Sequence, residues 1–387
     1  MIAFSRRGLL AAGLAAPAAL RAQTPPSLPP ALRIVAAADS PEPLTALLHD
    51  FARLSPQLVR EVSAQGAQAS WISGPFAAAQ SAGLSPTDAV LTDNVGLVLG
   101  AVRRLWQNLP AALRGLGGAE MAARNGLMSP LAGEIATVVS AAPGGPLLLH
   151  SLDELAAVPR TAAALLDFAR ERPRRFLYAR PGESQLGLQF ISALPHLLRD
   201  ADPADPREGW ARSWAFLEEL GEYVSFYASS SAAAVEELAQ GGCDLLPALL
   251  TTYLRERANG GLPEQVRFTL FDNGPLIPLG LFLAVPQLVS PTLLPAIGGL
   301  ADFLLRPEIQ SQGFGRGLLP GAASELSVAA DGILGPAERA AWDRLLPPLS
   351  VESIAQTPLV PPLTPDRLAY MMQRWDEQIG ARFRRPR

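Results

Sequence analysis

Residues 176–187 read "FLYARPGESQLG": a short apolar run stops at Pro181-Gly182 and passes at once, through Ser184-Gln185, into the helical pattern "LQFISALPHLL". An extended, buried segment that hands over this sharply to a helix belongs to an α/β fold. The junction carries Arg180, Glu183, Ser184 and Gln185. The first turn of a helix has free N–H groups and a positive dipole end, so such a junction can hold an anion, expose a nucleophile, or simply cap the helix.

The same alternation runs along the chain. "LRIVAAADSPEPLTALLHDFARLSP" (32–56) is a buried strand followed by a helix start at Asp39-Ser40-Pro41-Glu42, with a cap candidate, a proline and an acid in the first turn. "LVREVSAQG" and "AVLTD" are the next strands, the second ending at Asp93-Asn94, and "GLVLGAVRRLWQNL" has helical period. "GEIATVVSAA" is a further strand. The pattern then restarts with a helix in "SLDELAAVPRTAAALLDFARERP" and the strand that leads into the opening motif. "AFLEELGEYVSFYASSSAAAVEELAQGGCDLLPALL" reads as helix, loop, capped helix, strand, and "VRFTLFDNGPLIPLGLFLAVP" as a pair of strands around a turn. Asp272 and several prolines interrupt that last apolar run, which argues against a membrane span. Helices close the chain, the last being "TPDRLAYMMQRWDEQI", whose Leu368, Met371, Met372, Trp375 and Ile379 form a core stripe.

Length and composition limit the function. A chain of 387 residues with 49% apolar residues has material for two ordinary α/β units. A net charge of −4 is mild and of the wrong sign for nucleic acid. All the basic residues are arginine, which reads as compositional drift. The single cysteine, Cys243, excludes a disulfide framework or a cysteine metal cluster within the chain. Three scattered histidines at no ligand spacing, and Tyr223 and Tyr227 that are not neighbours, give no metal signal, and no cofactor motif appears.

The N-terminus, "MIAFSRRGLLAAGLAAPAALRAQ", has a basic segment, a short apolar stretch and a cleavage-type ending at Ala22, so residues 1–22 are expected to be an export signal. Ser5-Arg6-Arg7 resembles the twin-arginine signal and departs from it at Ala11; a Sec signal fits equally. Residues 23–30 are a proline-rich spacer. A periplasmic location follows as an expectation.

Two chemistries remain for the opening motif. A nucleophile elbow needs Gly-x-Ser-x-Gly, but Leu186 holds the fifth position, the glycine arrives late at Gly187, and no acid-then-histidine segment completes a triad. A secreted α/β hydrolase using Ser184 is the alternative reading. The other reading joins Asp39-Ser40, Asp93-Asn94, Ser184-Gln185 and Ser229-Ser230-Ser231, each at a strand-to-helix or loop-to-helix passage. In open α/β sheets ligands gather at such places, and facing lobes would bring two sets onto one small molecule.

In the order of "SLDELAAVPRTAAALLDFARERPRRFLYARPGESQLG", "SSSAAAVEELAQGGCDL", "GPLIPLGLFLAVP" and "ADFLLRPEIQSQGFGRG", the chain resembles periplasmic solute-binding proteins of ABC importers. It is similar to the two-lobed type II class, and within it to the extracellular family 1 group of thiamine-, polyamine- and iron-type binders. The resemblance implies a periplasmic-binding-protein-like α/β fold, each lobe a mainly parallel sheet flanked by helices, with two hinge crossovers. Lobe 1 is expected over 31–139 plus 275–387 and lobe 2 over 140–274. It implies a non-enzymatic receptor, monomeric, delivering a small polar solute to an ABC-type permease, with a transporter-independent sensor or scavenger as a further alternative. Asp39, Ser40, Asp93 and Asn94 would face the solute from lobe 1. Arg180, Ser184, Gln185, Tyr227, Ser229 and Ser230 would face it from lobe 2, with Asp272 and Asn273 at a crossover and Trp71 as a wall. The acids favour an organic cation or zwitterion, since a dry cleft needs charges opposite to those of its ligand.

Overall fold

The computed structural model describes residues 31–116, 126–306 apart from 156, 308–310, 344, 346, 352–354 and 356–381. The expected export signal and spacer lie outside these residues, as does the end of "ADFLLRPEIQSQGFGRG". No helix among the described residues is long and apolar enough to cross a membrane.

Two sheets organise the chain. The first, ordered β2-β1-β3-β8-β4, is built from β1 (Leu32–Ala37), β2 (Val59–Gln65), β3 (Ala89–Asp93), β4 (Ala136–Gly145) and β8 (Ile277–Ala284). The second, ordered β6-β5-β7, joins β5 (Leu147–Ser151), β6 (Leu245–Ala248) and β7 (Val266–Leu270). The apolar run of β1 sits between β2 and β3 in parallel, as a strand buried on both faces must. On one face α1 (Glu42–Leu54) buries Leu44, Leu47, Leu48 and Phe51, a stripe at helical spacing, against β1 and the later α8 (Leu294–Leu304).

Strand directions depart from the expectation of mainly parallel sheets. β8 runs antiparallel to both β3 and β4, and the ladders of the second sheet are antiparallel. The reason is topological: β8 enters the first sheet as the chain returns from the second lobe. "VRFTLFDNGPLIPLGLFLAVP" is therefore not a hairpin. β7 pairs with β5 and β8 pairs with β3 and β4, so residues 271–276 cross between the lobes. The other crossover is Pro146, because β4 runs on past 139 to Gly145 within the first sheet. A further pass pairs Leu276 with the segment at 358–360, and Leu346 and Ile354 are buried in the core of the second lobe. The tail thus visits both lobes instead of belonging to the first alone.

The second lobe carries α3 (Ala162–Glu171), α4 (Gln185–Leu197), α5 (Ala211–Leu220), α6 (Ser231–Ala239) and α7 (Leu250–Ala258). The expected strand at 174–182 is an extended segment held by isolated bridges, Phe176 to Leu245 and Ala179 to Ala228. Gly187 explains its closeness to α4: a Cβ there would lie 2.0 Å from the Ala179 carbonyl oxygen. The late glycine serves helix-to-strand packing. The last helix, α9 (Pro365–Gln378), packs along α2 (Asn94–Val102) of the first lobe. It also packs Trp375 against the paired rings of Tyr178 and Tyr227 of the second, with the Trp375 Nε1–H donating to the Tyr178 hydroxyl at 3.1 Å.

Candidate functional site

A cavity of about 80 Å³ lies where the lobes meet. The first lobe supplies Asp39, Ser40, Asp93 and Ser140, and the second supplies Gln185, Ser231, Thr251, Thr252 and Arg255; Leu44, Leu249, Leu279 and Leu281 complete the wall.

Each polar group is placed by the end of a strand or the start of a helix. Asp93 closes β3 and caps α2, its Oδ1 accepting from Gly96 N–H at 3.1 Å. Its Oδ2 accepts from the Gln68 amide at 2.9 Å and from Asp39 N–H at 3.2 Å. Gly96 is required there, since a Cβ would meet Thr92 Oγ1 at 2.0 Å. Asp39 lies just past β1, but it does not cap α1, which opens without any side-chain cap. Its carboxylate crosses to the other lobe. Oδ2 accepts from Gln185 N–H at 3.3 Å and from the Ser231 hydroxyl, and Oδ1 accepts from Ser231 N–H at 3.3 Å.

Gln185 and Ser231 are the first residues of α4 and α6, and each helix already has a serine cap. Ser184 Oγ accepts from Leu186 N–H and Ser230 Oγ from Ala233 N–H, both at 3.1 Å. The amide left over at the head of each helix goes to Asp39. Because Ser231 donates to a carboxylate, Ser184 donates to Ser231 across their 2.7 Å contact. Leu186 N–H, Ser184, Ser231 and Asp39 thus form one directed chain of hydrogen bonds.

Burial pushes the Asp39 carboxyl up to about 6; the neighbouring Asp93 adds to this, and hydrogen bonds from Ser231 and Gln185 oppose it. Asp93 is raised as well, chiefly by burial. The Gln185 amide helps to hold the Asp93 charge, yet neither its nitrogen nor its oxygen reaches hydrogen-bond geometry with a protein atom. The second lobe also brings a helix start and an arginine to the cavity. α7 begins at Leu250 with no side-chain cap, Thr251 and Thr252 stand in its first turn, and Arg255 follows one turn on. Among the described residues the two threonine hydroxyls have no hydrogen-bond partner, although the residues are 5% and 4% exposed.

The residues expected from sequence divide into three sets. Asp39, Ser40, Asp93 and Gln185 line the cavity, and Ser184 lies behind it, fully buried. Asn94 holds β8, donating to the Pro278 carbonyl and accepting from Gly280 N–H, and Ser230 is a helix cap. The rest are elsewhere. Trp71 stacks on Phe76, and Tyr227 packs against Tyr178 and Trp375 in the core. Ser229 is exposed, Arg180 lines a separate outer groove with Glu183 and Arg103, and Asp272 pairs with Arg160 beside Asn273 in the crossover. Ser231 enters the sequence reading only as the last of the 229–231 serine run, and Ser140, Thr251, Thr252 and Arg255 are not singled out there. "PALLTTYLRER" did hold the signal, a strand-to-helix junction, but its apolar run masks where the strand ends. Among the described residues no group of three or more His, Cys, Asp or Glu side chains is placed to hold a metal ion.

No family model matches the chain, and no curated protein matches its sequence. Solved structures do. An ABC transporter substrate-binding protein from Bradyrhizobium japonicum aligns at TM-score 0.63 and 17% identity, over 90% of this chain and 99% of that one. A putative spermidine/putrescine ABC transporter protein from Listeria monocytogenes gives TM-score 0.59 and 14% identity over 90% and 98%. The Atu4243-GABA receptor gives 0.60 and 14% over 92% and 97%. At this identity the likeness is one of fold, and over nearly its whole described length the chain has the two-lobed fold of periplasmic binding proteins.

Proposed function

We propose that this protein is a periplasmic solute receptor that takes a small zwitterion or organic cation into the interlobe cavity and presents the closed form to an ABC-type permease. The carrying observation is the make-up of the cavity wall: Asp39 and Asp93 line it together with Thr251, Thr252, Arg255 and the uncapped start of α7. An ammonium group beside two carboxylates that burial holds above their usual range gains from both, and a carboxylate suits the α7 end. The leucine walls fit a short apolar body between the two. The fold supports the reading, since the proteins that share it include an ABC transporter substrate-binding protein and a GABA receptor.

The Ser184 hydrolase reading lacks support from its surroundings. The Ser184 hydroxyl is fully buried, and its partners are Leu186 N–H and the Ser231 hydroxyl, neither of which is a base.

The test is native mass spectrometry of protein purified without refolding, followed by thermal melts against ω- and α-amino acids, betaines, polyamines, sugars and oxyanions. A ligand that binds the folded form raises Tm by mass action. A shift with zwitterions or cations is expected; a panel that moves nothing, with no retained ligand, overturns the proposal.

A further inference from the structure

The heads of α4 and α6 in the second lobe both meet the carboxylate of Asp39, which comes from the first lobe. The two helices, Gln185–Leu197 and Ser231–Ala239, start side by side, linked by the Ser184–Ser231 hydrogen bond. Each uses its own serine for one amide and leaves its first N–H pointing outward. A carboxylate from the other lobe, 146 and 192 residues away in sequence, takes both, together with the Ser231 hydroxyl. Helix heads bind oxyanions in this manner, through amides and dipole acting together.

One further observation marks the place as a binding site and not as mere packing. The Gln185 side chain, 3% exposed, lines the same cavity with both amide atoms short of hydrogen-bond geometry, so a polar group of suitable shape has donors and acceptors waiting. The two backbone contacts to Asp39 are 3.3 Å each, and the Ser231 hydroxyl lies closer still to the same carboxylate.

We infer that Asp39 is a specificity-determining residue: as a tethered anion it fills the oxyanion seat of the second lobe and so excludes carboxylate, phosphate and sulfate groups from it. An acidic group on a solute must then use the α7 end of the cavity. Removing Asp39 turns the seat into a working oxyanion site. This holds whichever solute the receptor carries, so its failure leaves the solute proposal standing.

The experiment uses the Asp39→Ala variant with sodium sulfate and sodium formate as probes, each compared with sodium chloride at equal ionic strength. The expected result is a saturable rise in Tm of about 2–4 °C in Asp39→Ala, absent in wild type. The double variant Asp39→Ala/Ser231→Pro should lose the response. Proline is tolerated at the first helical position, and Ser230 is already extended at φ −155°, ψ 163°, so one amide and the hydroxyl vanish while the helix stays. Should Asp39→Ala fail to fold, Asp39→Ser serves in its place. A folded variant that ignores both anions overturns the inference. So does a response of equal size in wild type or in the double variant, which would mark a general salt effect.

Discussion

Asp39 accepts hydrogen bonds from both the backbone N–H and the hydroxyl of Ser231, a residue of the other lobe that lies 192 positions further along the chain. This contact ties the charge of one carboxylate to the joining of the lobes. The groups around it are Asp93 from its own lobe and Gln185, Ser184 and Ser231 from the helix heads, and Arg255 lines the same cavity.

The first prediction concerns pH. Burial holds the Asp39 carboxyl at about 6, above its ordinary 3.8, so the folded form binds this proton more tightly than the unfolded chain does. Stability from this group is full below pH 3.8, falls as pH rises towards 6, and is flat above it. Asp93 is shifted in the same direction and adds to the trend. Thermal melts of the empty protein should show wild type losing about 2 kcal/mol over that window through Asp39, and Asp39→Asn losing markedly less. Equal slopes for the two proteins would refute the assignment.

Gly187 carries the second prediction. A Cβ at this position would lie 2.0 Å from the Ala179 carbonyl oxygen and 2.9 Å from the Arg180 carbonyl carbon, both of them backbone atoms. Backbone cannot rotate away, so α4 must shift along its first turn and carry Gln185 with it. Gly187→Ala should cost about 1–3 kcal/mol or more in urea unfolding and should weaken solute binding in parallel. A stability change within 0.5 kcal/mol in either direction, the usual size for a neutral surface substitution, would sink this account.

Local chemistry explains which parts of this protein are legible in its sequence. The buried run of β1, the Asp93 cap and the Ser184 cap are visible because each rests on neighbours in sequence. The reach of Asp39 is not, because an acid lying between a strand and a helix looks like a cap for that helix. Ser231 is the third serine of a run whose middle member is the cap, and only the approach of the other lobe gives it a task. Strand direction in β8, and the division of "VRFTLFDNGPLIPLGLFLAVP" between two sheets, depend on where the chain returns. No local pattern records that.

Trp375 offers a third prediction, about how the lobes are braced. Its ring is fully buried and meets Tyr227 edge-on at 4.8 Å, while Nε1–H donates to Tyr178. Trp375→Ala should cost about 3–5 kcal/mol, the range for deleting a large buried aromatic. Tyr178→Phe removes the acceptor and leaves the indole N–H unpaired, for about 1–3 kcal/mol. Urea unfolding should rank the two in that order, and a reversed ranking would show that the hydrogen bond outweighs the packing.

The last prediction separates the two ends of the cavity. Arg255 and the first turn of α7 are placed to meet an acidic group, whereas Asp93 faces an ammonium. Arg255 pairs with its neighbour Glu256, Nε donating at 2.9 Å, so the variant needs a stability check by circular dichroism beside its titration. Arg255→Gln should raise the Kd of zwitterionic solutes about 10- to 100-fold, the equivalent of about 1.5–3 kcal/mol for a hydrogen bond to a charged group. Solutes with an amine but no acid should be unaffected. Asp93→Asn should act in the opposite sense, weakening every amine-bearing solute, and its cap on α2 makes a stability check by circular dichroism necessary. Calorimetric titration of one zwitterion and one diamine against both variants decides the matter. Loss of both solutes in Arg255→Gln, or of neither in both variants, would mean that the charged ends do not orient the ligand.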